Sequence, residues 1–407
     1  RRAARWAEMA RKKSAWRRAI APRRLRWSAS RALVFAAPSL RRPLNFHGRA
    51  RSYEAAARRE IFEDAHVVER PLSEAERRFV QERARANDGS AVEAYWQAPW
   101  RFSVRYFELS DVEMLAHTGC LADSGGAGLL TETGAPENWN RDKIALLSKS
   151  APVEGTALPV RRYSNYFHFM LEAALPLTAY LERHGPGVDA VTLVSAPGSA
   201  GFVAPTLDAL ARRYGARHLP LRRGAKAPLE RAVVWRRSSP CSDWPMARRE
   251  TAQALRAALL DEAPAMRGGE GRRLYLRRSG AKIRNLQNAA EVSALAAAHG
   301  FETLEPSAGN LMDQARVTGE ASQILAVHGA ALANLIFAPK GSRVVEILAS
   351  DFCKSVYLML SRQLDLDHHL VVGGAGDYRQ NFAADLTAVE AALAAPEPST
   401  SGRASLR

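Results

Sequence analysis

The sequence predicts an α/β fold of two doubly wound domains, and three observations carry that expectation. From residue 188 onward, short apolar runs alternate with helical patterns, the rhythm of a parallel sheet covered on both faces. A glycine-rich break, MRGGEGRR (Met266–Arg273), divides that rhythm into two stretches of similar kind. The second stretch contains QILAVHGAALANLIFAPKGSRVVEIL (Gln323–Leu348), two apolar runs joined by a tight turn and a brief helix, which is a βαβ unit. A chain of 407 residues has room for two cores. The expected division is a basic arm over 1–53, domains over 54–265 and 266–395, and a low-complexity tail over 396–407.

Charge sharpens the first boundary. The net charge is +16, but residues 1–53 hold 16 Lys and Arg against one acid, Glu8, and the remaining 42 basic residues face 41 acids. The body is neutral and the arm attracts something anionic. Interleaved Trp6, Trp16 and Trp27 suit a basic amphipathic helix on an anionic membrane surface; a solvated, disordered arm fits the composition as well. Nucleic acid fits less well, because no recognition motif accompanies the charge. Cys120, Cys241 and Cys353 lie far apart with no metal-ligand spacing, as buried thiols of a reducing compartment do. No apolar run approaches the length of a membrane span, and Ala32–Ala37 is too short for a signal segment, so the expected location is cytoplasmic.

Taken in order, Ser73 and Glu76 form a capping-box signature at the head of a charged helix, Ser73–Ala86. An aromatic segment, Tyr95–Phe107, follows, and SGGAG (Ser124–Gly128) reads as a turn, since it opens no helix with dinucleotide spacing. In RYSNYFHFMLEAALPLTAYLERH (Arg162–His184), Asn165 can cap a helix and Pro176 should kink it. His168 and Glu172 are four apart on one face of this largely apolar helix, as a core pair or as a catalytic pair. The rhythm then runs strand 189–194, helix 202–214, strand 232–235 and helix 245–262. After the break come strand 273–278, helix 289–299, strand 301–304, helix 309–318, the βαβ unit, a helix near 352–360 and strand 369–372.

The polar residues gather where strands end. His328 and Gly329 stand between the first strand of the βαβ unit and its helix, whose first N–H groups form a ready anion site. Arg277, Arg278, Lys282 and Arg284 surround the end of strand 273–278. Ligands of doubly wound sheets sit beyond the C-terminal strand ends, so these cations and the His328–Gly329 turn should meet in one crevice that suits a diphosphate. Glu346, inside VVEIL, is either paired in the core or positioned to accept hydroxyl protons, and Asn334 is expected to tie its helix to a neighbouring loop.

Three motifs, SNYFHFMLEAALP (Ser164–Pro176), LYLRRSGAKIRNLQNAAEV (Leu274–Val292) and HGAALANLIFAPKGSRVVEIL (His328–Leu348), resemble glycosyltransferase family 61 in order and spacing. Bacterial members are often labelled capsular polysaccharide biosynthesis proteins. The likeness covers about residues 110–375 and implies a GT-B architecture, two Rossmann-like domains facing an interdomain cleft. It further implies inverting, metal-independent transfer of a sugar from a nucleotide donor, commonly UDP-linked, to a hydroxyl acceptor, with no cofactor. Three positions depart from the family pattern: Glu172 and Pro176 are one residue further apart than Glu-x-x-Pro, Ala289 replaces an acid after Asn288, and Val327 replaces a smaller residue or Pro.

On that reading His168 is the base and Glu172 its orienting partner, or the reverse. Arg277, Arg278, Arg284, His328 and Gly329 would hold the donor diphosphate, while Glu346 would accept from the ribose and Asn334 serve the fold. A dehydrogenase would need a Gly-x-Gly-x-x-Gly turn with an acid downstream, and none is found. The rival of another class is a catalytically silent nucleotide-sugar-binding or scaffold protein of polysaccharide assembly.

Overall fold

A computed structural model describes residues 50–69, 72–82, 99–116, 118–123, 129–131, 148–184, 190–239, 245–261, 271–278 and 280–394. The arm up to residue 49, the SGGAG turn, most of the glycine-rich break and the tail lie outside these residues.

Length and aromatic content make β3 (Trp100–Leu115) the spine of the first sheet. It pairs antiparallel with β2 (Arg59–Val68) on one edge and with β10 (Ala225–Ser238) on the other, Tyr106 opposite both Phe62 and Trp235. Short strands β1 (Ala50–Ser52), β4 (Leu121–Asp123), β5 (Leu129–Thr131) and β6 (Ser148–Lys149) extend the sheet around this pair. On the far side β7 (Val153–Val160), β8 (Val191–Ser195) and β9 (Arg217–Pro220) continue from β10 in parallel. The doubly wound expectation therefore holds for the β10–β7–β8–β9 side only. Antiparallel neighbours need no crossover helix, and the described residues between β3 and β7 form none.

The second sheet follows the expectation closely. Strands β11 (Arg272–Leu276), β12 (Glu302–Leu304), β13 (Ala321–Val327), β14 (Arg343–Leu348) and β15 (Asp367–Val372) are all parallel, in the order β12-β11-β13-β14-β15. Both faces are covered, so β13 sends Ile324 and Ala326 into one apolar cluster and Leu325 and Val327 into another. The second cluster includes Val389 and Leu393 of a further helix, Leu386–Ala394.

Helices from both halves share the first cluster. Leu175, Leu177 and Leu255 pack in the same core as Leu332, Leu335, Ile336 and Leu358. Polar ties reinforce it: Gln363 accepts from the Ala247 N–H at 3.0 Å and donates to the Pro245 carbonyl at 2.8 Å. The capping box forms as the sequence suggests, with Glu76 accepting from the Ser73 N–H at 2.7 Å ahead of the helix Glu74–Glu82.

Candidate functional site

In the order β12-β11-β13-β14-β15 the chain leaves β11 to one side and then returns to the other, so the strand ends of β11 and β13 diverge and open a crevice. A cavity of about 320 Å³ lies there. Leu276 at the end of β11 and Arg277 and Arg278 just after it line the cavity, with Val327 at the end of β13, Ala330 and Ala331 beyond it, and Asn165 and Tyr166 from the first half.

Two of the four cations carry the electrostatics. Arg277 is bound to Glu305 at 3.1 Å, half-exposed at the rim. Arg278 folds back over Gly329, where its guanidinium occupies the space a Cβ at residue 329 would take. It donates to the Ile283 carbonyl at 3.1 Å and keeps a buried Nε without a partner. Arg284 is held with φ at 61° while its backbone N–H donates to the Arg379 carbonyl at 3.0 Å. Its guanidinium lies 4.9 Å from the Phe352 ring centre, and its Nε is likewise buried and unpartnered. Burial, then the charge of Arg284, pulls Arg278 below the usual guanidinium range, and burial does the same to Arg284. Neither has a carboxylate partner among the described residues, whereas buried cations ordinarily do. Lys282 is exposed beside them.

His328 sits at the end of β13 and faces inward. Its Nδ1–H donates to Glu346 Oε1 at 2.5 Å, and His368 Nε2–H donates to the other carboxylate oxygen at 3.0 Å. Glu346 has no exposed surface and both oxygens are engaged. This is the paired-core alternative, and it corrects the reading of Glu346 as a ribose acceptor, since a hydroxyl would have to displace an imidazole to reach it. Burial pushes the Glu346 carboxyl up, but the charge and hydrogen bond of His328, with the hydrogen bond from His368, bring it below its ordinary value. The turn after Gly329 is a 3-10 helix, Ala330–Phe337, rather than an α-helix. Asn334 within it is fully buried, accepting from the Tyr166 hydroxyl at 2.7 Å and donating to Gln314 Oε1 at 2.9 Å. It thus ties the 3-10 helix to the first half of the chain and to the helix Leu311–Thr318, not to a neighbouring loop.

His168 lies on the short helix Tyr166–Phe169, whose N-cap is Asn165. Its Nδ1–H donates to Glu172 Oε1 at 2.8 Å, and Arg237 from β10 reaches the same oxygen at 3.2 Å. The imidazole is half-exposed (53%) and the carboxylate only 14% exposed. The hydrogen bond to Glu172 raises the His168 pKa against the opposing effect of burial. Burial raises that of Glu172, but His168 and Arg237 outweigh it and hold the carboxyl below its usual range.

After His168 the helix widens into a π turn, Met170–Ala174, which contains Glu172 and whose Leu175 N–H reaches the Met170 carbonyl. Pro176, expected to kink the helix, lies just past this turn in the regular segment Leu175–His184. The Glu172 carbonyl, which Pro176 has no N–H to satisfy, accepts from Trp235 Nε1 at 2.8 Å. The wider turn has room for the extra residue between Glu172 and Pro176 noted in the sequence.

His168 and Glu172 do not line the cavity. Nor do His328, Gly329 and Arg284; edge-on ring contacts link His168 to His328, with His168 against Phe167 at 5.2 Å, Phe167 against Tyr357 at 5.6 Å, and Tyr357 against His328 at 5.2 Å between centres. The sequence reading had no signal for Tyr357, whose hydroxyl donates to the Gly329 carbonyl at 2.6 Å, nor for Arg237 and His368. Each matters through a partner distant in sequence.

With this geometry in view, residues 166–345 match the family model Glycosyltransferase 61. Residues 166–345 belong to glycosyltransferase family 61. The matched region begins at the helix bearing His168 and ends in β14, so it takes in the unpaired arginines, the His328–Gly329 turn and the His168–Glu172 pair. The protein is a transferase, and membership implies a glycosyl donor and an acceptor. Among curated proteins none matches the chain.

Proposed function

We propose that this glycosyltransferase moves a sugar from a nucleotide-sugar, UDP-linked, to a hydroxyl of a polysaccharide or other glycan, with inversion and without a metal. The observation that carries the donor reading is the pair Arg278 and Arg284: two half-buried guanidinium groups, unpartnered at Nε, at the strand-end crevice of a parallel sheet. A site with two uncompensated cations favours an anion of matching charge, and a diphosphate supplies it.

In the proposed transfer, the acceptor oxygen attacks the anomeric carbon while its proton passes to His168 Nε2. The carbon–oxygen bond to the diphosphate breaks, and its electron pair leaves with the phosphate, whose growing charge Arg278, Arg284 and His328 offset. The geometry supports His168 over Glu172 as the base. The carboxylate is less exposed, held by the His168 N–H and by Arg237, and kept acidic, whereas His168 keeps a free ring nitrogen. A GT-B-like arrangement, capsular polysaccharide as the product class, and peripheral attachment of residues 1–53 at the cytoplasmic membrane face belong to the same proposal.

Isothermal calorimetry with UDP, GDP and CDP, followed by donor hydrolysis with the corresponding sugars, tests it. Expected is micromolar to sub-millimolar binding of one nucleotide, weakened in Arg278→Ala. Absence of binding by all three would favour the scaffold reading instead.

A further inference from the structure

Behind the cleft runs a chain of four hydrogen-bonded side chains, of which the proposed transfer uses only His328. Ser361 Oγ meets His368 Nδ1 at 2.7 Å, His368 Nε2–H donates to Glu346 Oε2, and Glu346 Oε1 accepts from His328 Nδ1–H. Ser361 and Glu346 have no exposed surface, and the His368 and His328 side chains are 1% and 8% exposed. We infer that Glu346, His368 and Ser361 are positioning residues for His328, and that a nucleoside diphosphate entering the cleft is bound together with one proton, taken up on His328. The inference rests on the diphosphate reading of the Arg278–Arg284 site.

The argument begins with the tautomers. An ionised carboxylate only accepts, so Glu346 places hydrogen on Nδ1 of His328 and on Nε2 of His368. His328 is left with Nε2, the nitrogen away from Glu346, as its free position. Ser361 can donate to a neutral His368 or accept from a charged one, so the far end of the chain is served in either state.

One carboxylate balances one imidazolium, so Glu346 supports a cation on His328 or on His368 but not on both. Charges facing His328 decide when it carries the proton. Glu346 from β14 favours the cation. Arg278, folded against the adjacent Gly329, and Arg284, over the Phe352 ring that also touches His328, disfavour it. Tyr357, whose ring meets the imidazole edge-on, is held neutral by burial and donates to the Gly329 carbonyl. His368 acts on His328 through Glu346. A diphosphate cancels the two guanidinium charges. The balance then tips toward the imidazolium, a solvent buffer acid supplies the proton, and Nε2–H becomes a charged donor to the phosphate.

The test is calorimetric titration with UDP, GDP or CDP, whichever binds, in buffers of different ionisation enthalpy. It is run across roughly pH 7.5 to 9, above the last phosphate ionisation near 6. Expected in the wild-type protein is uptake of roughly half a proton or more at some pH in that range. In Glu346→Gln the uptake vanishes while weakened binding persists, and Ser361→Ala moves the pH of maximal uptake. Binding without uptake at any pH overturns the inference alone, whether or not the variants fold. Uptake unchanged in a folded Glu346→Gln or His328→Asn protein overturns it as well, because another group then takes the proton. Failure of all three nucleotides to bind sinks the diphosphate reading and this inference with it.

Discussion

Gly329→Ala isolates the contribution of Arg278 without touching the arginine. Residue 329 has φ near 171°, extended backbone that alanine adopts without strain. The added Cβ would collide with the Arg278 guanidinium, while its next neighbour outside that group, the Val327 carbonyl oxygen, is 3.7 Å away. The guanidinium is the flexible end of a long side chain, so it should swing out and lose the bond to Ile283, at a stability cost of about 1 kcal/mol. A hydrogen bond from a charged donor is worth about 1.5–3 kcal/mol, so displacing it from a bound phosphate should weaken UDP by roughly 10- to 100-fold. Arg278→Ala should cost the same, and the double variant no more than either single one, giving a coupling energy of about 2 kcal/mol. Calorimetry on the three variants reads all of this. Wild-type affinity in Gly329→Ala, or strictly additive losses, would refute the placement of Arg278 as a phosphate ligand.

Two further outcomes follow from the same geometry. The proposed base must be neutral to act and its hydrogen bond to Glu172 raises its pKa, so the rising limb of log kcat/KM should shift to lower pH in Glu172→Gln; a limb that stays in place argues for a different base. Asn334→Ala strands the Tyr166 hydroxyl and Gln314 in the interior and should destabilise the fold by about 2–3 kcal/mol in a denaturant titration; a loss under about 0.5 kcal/mol would show the tie between the two halves to be idle.

What could be read from the sequence was whatever depends on near neighbours. The second sheet was legible because each of its strands is an apolar run bracketed by helical patterns. So were the capping box at Ser73 and the Asn165 cap, both local bonds. The crevice followed from topology alone, since the strand ends of β11 and β13 lie side by side in any sheet of this order. Register was not legible. Arg277 and Arg278 follow β11 side by side, yet one turns to Glu305 and the other to Gly329, a choice set by partners distant in the sequence. His368 meets Glu346 only because β15 pairs with β14 with Val344 opposite His368. The antiparallel half escaped for a related reason: β3 joins partners more than a hundred residues apart, Tyr106 meeting Trp235.

The one-residue excess between Glu172 and Pro176 offers the last test of how sequence departures are accommodated. In a regular helix an added residue rotates everything on one side of it by roughly 100°, which would carry His168 and Glu172 away from Arg237. The π turn prevents this by bonding the Leu175 N–H to the carbonyl of Met170, five residues back. Deletion of Ala174 would put the same two residues four apart, converting that bond into an ordinary α-helical one and leaving both helical segments facing as they do now. Ala174 is fully buried, so the lost methyl should cost about 1 kcal/mol and a small adjustment of packing. The deletion variant is therefore expected to fold, with Tm within a few degrees of wild type and donor binding retained. Deleting Ala179 from the regular segment Leu175–His184 should instead abolish the fold, because nothing there takes up the rotation. Equal collapse of the two variants would mean that the wide turn is itself required, and that the spacing is not an absorbed insertion.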